Sequence, residues 1–187
     1  MISYFFSIPI RIFDGVYAPS DDTFMIMENV KCSGKTIEIG CGTALISIYF
    51  RKRGCDIECT DINNKAVECA IDNAKLNEIN LRVYQSDLFD KVGNTYDTII
   101  FNPPYLPVED EDPAWTGGKT GLEISDRFLI QAYRFLNKGG HIYMILSDLT
   151  DTAGFISKHA EYKFNEIARK TFDFESIILY EIEKKDS

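Results

Sequence analysis

The chain has 187 residues, enough for one domain around a single core. Its 45% hydrophobic and 26% charged residues are those of an ordinary globular protein, which excludes disordered and disulfide-scaffold classes. A formal net charge of -9 repels phosphate backbones and disfavours tight nonspecific nucleic-acid binding, although a local basic patch stays compatible with it.

Met1 to Phe13 is apolar, with one arginine (Arg11), one proline (Pro9) and no basic run ahead of the apolar stretch. It is too short to cross a bilayer and lacks a signal-peptide layout, so it reads as a strand or arm packed on the domain. Asp21-Asp22-Thr23 looks like a helix start before the apolar run Phe24 to Val30. Thr36 to Ile39 reads as a short buried strand. Ala44 to Arg53 reads as a helix with Leu45, Ile48 and Tyr49 on one face, stopped by Gly54. Asp56 to Ile62 is the second strand. Asn64 to Asn77 is a helix that Asn63 or Asn64 can cap.

Leu81 to Ser86 and Tyr96 to Phe101 are the third and fourth strands, the latter rich in β-branched and aromatic residues. Glu123 to Asn137 reads as a helix with Phe128, Ala132, Phe135 and Leu136 on one side, ended by Gly139-Gly140. His141 to Leu146 is a fifth strand, and Thr150 to Ala160 a helix. Phe164 to Phe172 and Ser176 to Glu183 alternate as an antiparallel pair would. Alternation of strand and helix implies an α/β fold, a mostly parallel sheet with helices on both faces. The five cysteines (Cys32, Cys41, Cys55, Cys59, Cys69) contain no Cys-x-x-Cys pair, and His141 and His159 lie far downstream. No metal site is expected, and the cysteines read as reduced, mostly buried thiols of a cytoplasmic protein.

Ligands of such sheets bind beyond the carboxyl ends of the strands, where strand order reverses. The first strand runs into Glu38-Ile39-Gly40-Cys41-Gly42-Thr43, whose small residues let a ligand approach the backbone. A dinucleotide fingerprint would want a further glycine at Leu45, so a tight strand-to-helix turn is an equal reading. Asp61 follows the second strand and can accept from two ribose hydroxyls, or cap the next helix. Asp87-Leu88 follows the third; the acid could accept from an adenine amino group while Leu88 covers the ring, or be a solvated loop acid. Together the glycine turn, Asp61 and Asp87-Leu88 line one nucleoside along three consecutive strand ends.

Asn102-Pro103-Pro104-Tyr105 follows the fourth strand. An amide or exocyclic amine nitrogen is a poor nucleophile because its lone pair is delocalised. Two acceptors on its N–H groups would aim the lone pair and stabilise the positive charge that develops on nitrogen. The Asn102 side-chain oxygen and the Pro103 carbonyl could be those acceptors, and Tyr105 offers a flat face to a planar substrate. The alternative is a proline turn that ends a strand.

These residues resemble class I S-adenosylmethionine-dependent methyltransferases of the HemK/PrmC group. The likeness is to the short single-domain branch that methylates the glutamine of the Gly-Gly-Gln motif in archaeal and eukaryotic class 1 release factors. Val16-Tyr17-Ala18-Pro19-Ser20-Asp21-Asp22-Thr23 is similar to its N-terminal signature, Glu38 to Gly42 to its motif I, and Asn102 to Tyr105 to the catalytic motif. Ala114 to Gly121, running into Asp126-Arg127-Phe128, resembles the segment after the catalytic loop. The resemblance implies a Rossmann-like seven-stranded sheet with its last strand antiparallel, in one domain over 1–187: an arm and first helix over 1–33, the core over 34–187. It implies S-adenosylmethionine as cofactor, contacted by Thr23, Glu38, Gly40, Asp61, Asp87, Leu88 and Asn102. Asn102, with Pro103 and Tyr105, would hold the substrate glutamine. A release factor is the implied partner, with a small zinc-binding activator subunit as a second candidate. Bacterial-type relatives carry a helical domain ahead of the catalytic one; the stretch before the first core strand is too short for it, so docking on a release factor is expected to differ.

Two rival functions remain. Adenine and guanine N-methyltransferases use similar Asn-Pro-Pro-aromatic motifs because their nucleophile is also an sp² nitrogen, but they usually add basic residues or a target-recognition domain. Here Glu109-Asp110-Glu111-Asp112 follows the motif: a solvated loop, or a lid that repels nucleic acid or meets a basic protein surface. The long segment Leu106 to Gly121 reads as a lid, with Trp115 as a contact or a buried anchor. The other rival is a non-catalytic scaffold, against which the intact Asp61, Asp87 and Asn102 set argues.

Overall fold

The apolar N-terminal stretch forms a hairpin of β1 (Ile2–Phe5) and β2 (Ile8–Arg11) in the computed structural model, which describes residues 2–105 and 120–185. Phe6 and Ser7 make its turn with φ of 50° and 65°, the left-handed backbone that two-residue hairpin turns require. There follow α1 (Asp21–Asn29), β3 (Lys35–Ile39), α2 (Leu45–Arg51), β4 (Asp56–Asp61), α3 (Asn64–Leu76), β5 (Arg82–Gln85) and β6 (Tyr96–Phe101). After the undescribed residues come α4 (Glu123–Phe135), β7 (Leu136–Ser147), α5 (Thr152–Lys158), β8 (Tyr162–Thr171) and β9 (Ser176–Lys184). The acidic run Glu109–Asp112 and Trp115 lie outside the described residues, as does most of the segment expected to be a lid.

Seven strands form one sheet in the order β5-β4-β3-β6-β7-β9-β8. β3 pairs in parallel with β4 and β6, β4 with β5, and β6 with β7, while β9 runs antiparallel to both its neighbours. The expected mostly parallel sheet with a reversed last strand is therefore present. Central strands are buried on both faces, and residues 142–146 of β7 read as an unbroken apolar run. Ile37, Ile39, Ile99 and Phe101 join Phe128, Leu129 and Ala132 of α4 on one face. Ile100 joins Met25 and Ile26 of α1 and Leu45 and Ile48 of α2 on the other. Each such fully buried side chain contributes about 1.5–3 kcal/mol relative to exposure. The chain builds outward from β3 through β4 and β5, then returns to β6 on the other side of β3. Strand order reverses there, and the carboxyl ends of β3 and β6 part to leave a crevice.

The fully buried Asn73 of α3 ties this crevice to the hairpin. Its side chain donates to the Arg11 carbonyl (2.9 Å) and the Thr43 carbonyl (3.0 Å) and accepts from the Arg11 N–H (2.7 Å). Asn77 donates to the Pro9 carbonyl at 2.8 Å. A buried carboxamide with all these partners satisfies backbone groups that no helix or sheet could.

Two sequence expectations change. The helix expected to reach Asn137 stops at Phe135: Leu136 closes the last turn with its N–H on Ala132, then turns extended (φ -85°, ψ 125°) and pairs with Tyr96. Gly139 and Gly140, expected to end that helix, lie inside β7. Gly140 sits so close to β6 that an added Cβ would meet the Asp97 carbonyl at 2.9 Å. The cysteines, expected to be thiols throughout, include a Cys32–Cys55 disulfide with Cα atoms 6.2 Å apart, while Cys41, Cys59 and Cys69 are free and buried. The partners are separated by 23 residues, and only the folding of β3 beside β4 brings them together. Among the described residues no helix is long and apolar enough to cross a membrane.

Candidate active site

A cavity of about 320 Å3 opens at the carboxyl ends of β3, β4, β5 and β6. Each residue expected from the sequence to hold cofactor or substrate lines it: Thr23, Glu38, Gly40, Asp61, Asp87, Leu88, Asn102, Pro103 and Tyr105. The turn after β3 is bent by Gly40 and Gly42, with φ of 68° and 52°, a backbone glycine adopts without strain. Ala44, also left-handed at φ 58°, then starts α2. Glu38 is buried beneath this turn, and Ser47 of α2 gives its carboxyl both its backbone N–H (3.0 Å) and its hydroxyl. Burial raises Glu38 to about 8, the Ser47 hydrogen bonds opposing the rise. Near neutral pH much of it is therefore uncharged.

Asp61 ends β4 with its carboxylate fixed on two sides: Gly42 N–H donates to one oxygen and Asn63 N–H to the other, each at 2.9 Å. Burial raises its pKa, and those backbone donors hold it down. The cap of α3 is Asn63, which accepts from the Lys65 N–H at 2.9 Å, so the reading of Asp61 as helix cap is replaced by that of a wall residue bracing the glycine turn. Asp87 pairs with Arg127 of α4 at 2.9 Å. Leu88 beside it is buried in a left-handed backbone (φ 44°), an uncommon conformation for a leucine.

The acceptor side lies at the end of β6. Pro103 is buried, and Asn102, Pro104 and Tyr105 are half-buried. The Asn102 side-chain oxygen is buried, and among the described residues it has no hydrogen-bond partner. A buried acceptor left without a donor costs about 1–3 kcal/mol, so its persistence at a cavity wall marks a place where a ligand N–H fits. Tyr105 and Tyr17 both donate their hydroxyls to one oxygen of the buried Asp22, at 3.2 and 2.8 Å. Burial first, and the Asp22 charge second, push both phenols above their usual range, so they stay protonated as donors. The Thr23 hydroxyl, expected on the cofactor, accepts from Ser20 N–H (3.3 Å) and donates to Asp22 (3.1 Å).

Residues 20–172 match the methyltransferase small domain family. The chain belongs to that family. It is 38% identical over 184 residues to a putative protein N5-glutamine methyltransferase of Methanocaldococcus jannaschii, covering 92% of this chain and 93% of the relative. It is 27% identical to the mouse methyltransferase HEMK2, covering 71% and 72% of the two chains. Its fold matches the E. cuniculi Mtq2–Trm112 complex responsible for methylation of the eRF1 translation termination factor, with a TM-score of 0.74 at 23% identity over 91% and 99% of the chains.

In this methyltransferase the cavity carries Asp22, Asp61 and Asp87 with Arg127 as a cationic partner. Walls of that sign suit hydroxyls, amines and a positively charged centre, and repel the pyrophosphate of a dinucleotide. The missing glycine at Leu45, which is buried in the core, points the same way. Sequence reasoning did not assign roles to Asp22, Tyr17, Ser47 or Arg127. Tyr17 and Asp22 stood in the N-terminal signature, but Asp22 read as a helix-start acid, and its contact with Tyr105 spans 83 residues.

Proposed function

We propose that this methyltransferase uses S-adenosylmethionine to methylate the side-chain amide nitrogen of a protein glutamine, in the Gly-Gly-Gln motif of a class 1 peptide chain release factor, in the cytoplasm. The buried oxygen of Asn102, which has no partner among the described residues, carries this reading. The residues present fit the cofactor: a glycine turn that brings backbone to the cavity, an acid at the end of β4 for ribose hydroxyls, an acid and Leu88 beyond β5 for an adenine, and the free acceptor at Asn102. When bound, the cofactor supplies an electrophilic methyl carbon on a sulfonium.

The chain's own residues then orient the acceptor. Asn102 and the Pro103 carbonyl take the two N–H groups of the glutamine amide, which turns the nitrogen lone pair toward the cavity and favours the charge that builds on nitrogen. Proline at Pro103 and Pro104 keeps the turn stiff and free of competing donors. Tyr105, its hydroxyl anchored on Asp22, presents its ring to the planar amide. Names of relatives support the substrate class: an N5-glutamine methyltransferase at 38% identity, and a release-factor methylating complex of the same fold. That complex contains Trm112, and a small zinc-binding activator subunit is the further partner this reading expects.

The test is incubation of the chain, with and without such a subunit, with methyl-labelled cofactor and a cognate release factor, RNA or DNA. Label on the glutamine of the Gly-Gly-Gln peptide, read by mass spectrometry, is the expected outcome. Label on nucleic acid with none on protein would replace this reading with nucleobase N-methylation, and no transfer to any acceptor would favour a scaffold.

A further inference from the structure

We propose that the end of the sheet remote from the cavity holds one divalent transition-metal ion of zinc-like chemistry, ligated by His141, Glu181 and Glu183. His141 lies on β7 and both glutamates on β9. The antiparallel register sets Ile142 against Ile182 and Tyr143 against Glu181, which brings His141 beside Glu183. Side chains at alternate positions of a strand share a face, so His141 and Tyr143 project beside Glu181 and Glu183. The His141 Nδ1 atom is 3.3 Å from Glu183 Oε1 and 3.6 Å from Glu181 Oε1, and the three atoms lie within 4.8 Å of one another.

The two nitrogen–oxygen separations are those of a coordination shell. Ligand atoms about 2.0–2.2 Å from a tetrahedral zinc ion lie about 3.3–3.6 Å apart along the tetrahedron's edges. Nδ1 is buried and makes no hydrogen bond of normal geometry with any described residue, despite two carboxylate oxygens within reach. A ligating nitrogen needs that freedom. Glu181 Oε1 accepts from the Tyr143 hydroxyl at 2.8 Å, the outer contact that orients ligating carboxylates.

Charge agrees. Two carboxylates two residues apart on one strand face repel each other, and a dication with a neutral imidazole balances them. Lys163 of β8 stands opposite Glu183 in the register, yet among the described residues its ammonium forms no ion pair within 4.0 Å. The three side chains are 33%, 26% and 35% exposed, which leaves an entry path and room for water as fourth ligand. His141 pairs with Thr98 near the start of β6, whereas the cavity opens beyond Phe101. The ion would therefore clip the reversed strand β9 to β7 and take no part in methyl transfer.

The test is titration of the intact chain with Co2+ alone, then displacement by Zn2+. One equivalent is expected to bind, with the absorption of four-coordinate cobalt and without a thiolate charge-transfer band, and to raise the melting temperature. Glu183→Gln and His141→Asn should each weaken binding at least about ten-fold, with circular dichroism and cofactor affinity as in the parent chain. If His141→Asn fails to fold, Glu183→Gln decides. A protonated imidazole bridging the two glutamates is the rival arrangement. No stoichiometric binding, binding unchanged by the substitutions, or a thiolate band each overturns the site.

Discussion

At the ends of β3, β4 and β5 each cavity acid already has a protein partner: Ser47 on Glu38, Gly42 and Asn63 on Asp61, Arg127 on Asp87. At the end of β6 the Asn102 oxygen is buried with none among the described residues. One side of the cavity is braced before any ligand arrives, and the other keeps an acceptor in reserve. Bracing serves binding, because groups held in place lose little freedom when a ligand meets them. An acceptor in reserve serves chemistry, because its hydrogen bond forms only to the acceptor substrate. Substitutions on the two sides should therefore separate affinity from rate.

The largest effect is expected at Asn102. Asn102→Ala should lower methyl transfer by about 10²–10³ while cofactor affinity stays within a few-fold, measured by single-turnover transfer and by calorimetry. Asn102→Asp keeps an acceptor of the same size, so it should retain more activity than the alanine variant. Equal loss in both would bring in the donor side of the amide. Near-parent turnover in Asn102→Ala would reduce the motif to a structural turn and erase the contrast between the two sides.

Asp61→Ala is expected to act the other way. Losing charge-assisted hydrogen bonds to a ribose should cost about 1.5–3 kcal/mol, roughly 10- to 100-fold in cofactor affinity. Freeing the Gly42 and Asn63 N–H groups adds local disorder that hydrogen exchange on the glycine turn would report. Unchanged affinity with an intact fold would mean that Asp61 serves the turn alone.

How far the sequence carried this contrast follows from where each partner sits. The acids after the strands were legible because strand ends were legible: Tyr96–Phe101 has the same bounds in sequence and structure. Asn102 was legible because an Asn-Pro-Pro-aromatic turn after a strand has few uses. What completes the walls was not. Ser47 meets Glu38 nine residues away, Arg127 meets Asp87 across 40, and Tyr105 meets Asp22 across 83. The two longer pairs depend on strand order, which no local pattern encodes. The same holds for His141 with Glu181 and Glu183, and for Cys32 with Cys55. Gly139-Gly140 misled for a related reason: glycines that usually stop a helix here let β7 approach Asp97.

Glu38 should reveal itself through pH. Its folded pKa, about 8, lies above the ordinary carboxyl value, so the folded state holds the proton more tightly than the unfolded chain does. The stability this lends is fully present below the unfolded value and is lost as pH rises through about 8. The parent melting temperature should fall over that window, and Glu38→Gln, which cannot ionise, should flatten the curve, by about 2–4 °C for each kcal/mol recovered in a chain of this size. A variant that melts in parallel with the parent from acid to alkali would place Glu38 outside this linkage. Its affinity for cofactor, measured below pH 7, should stay near the parent's, since glutamine mimics the neutral carboxyl.

The smallest effect is expected at Arg127, the cation that reaches from α4 to the cofactor side. Its guanidinium meets Asp87 at 2.9 Å, with the two side chains 52% and 36% exposed. Ion pairs this open contribute about 0–1 kcal/mol, because solvent screens them and ordering two side chains opposes them. Arg127→Gln should therefore shift the melting temperature by no more than about 2–4 °C. Function is the sharper readout. Arg127 engages one oxygen of Asp87, and no described residue donates to the other. If Arg127 only steadies that carboxylate, its loss should raise the KM for cofactor a few-fold, leave kcat unchanged, and matter less as salt is added. Asp87→Asn should exceed it, since that change removes the charge itself. The double variant should then resemble Asp87→Asn, because a positioning residue has nothing left to position. A fall in kcat at constant KM would instead put Arg127 on the acceptor side, where α4 begins just beyond the catalytic segment, and one residue would then serve both halves of the cavity.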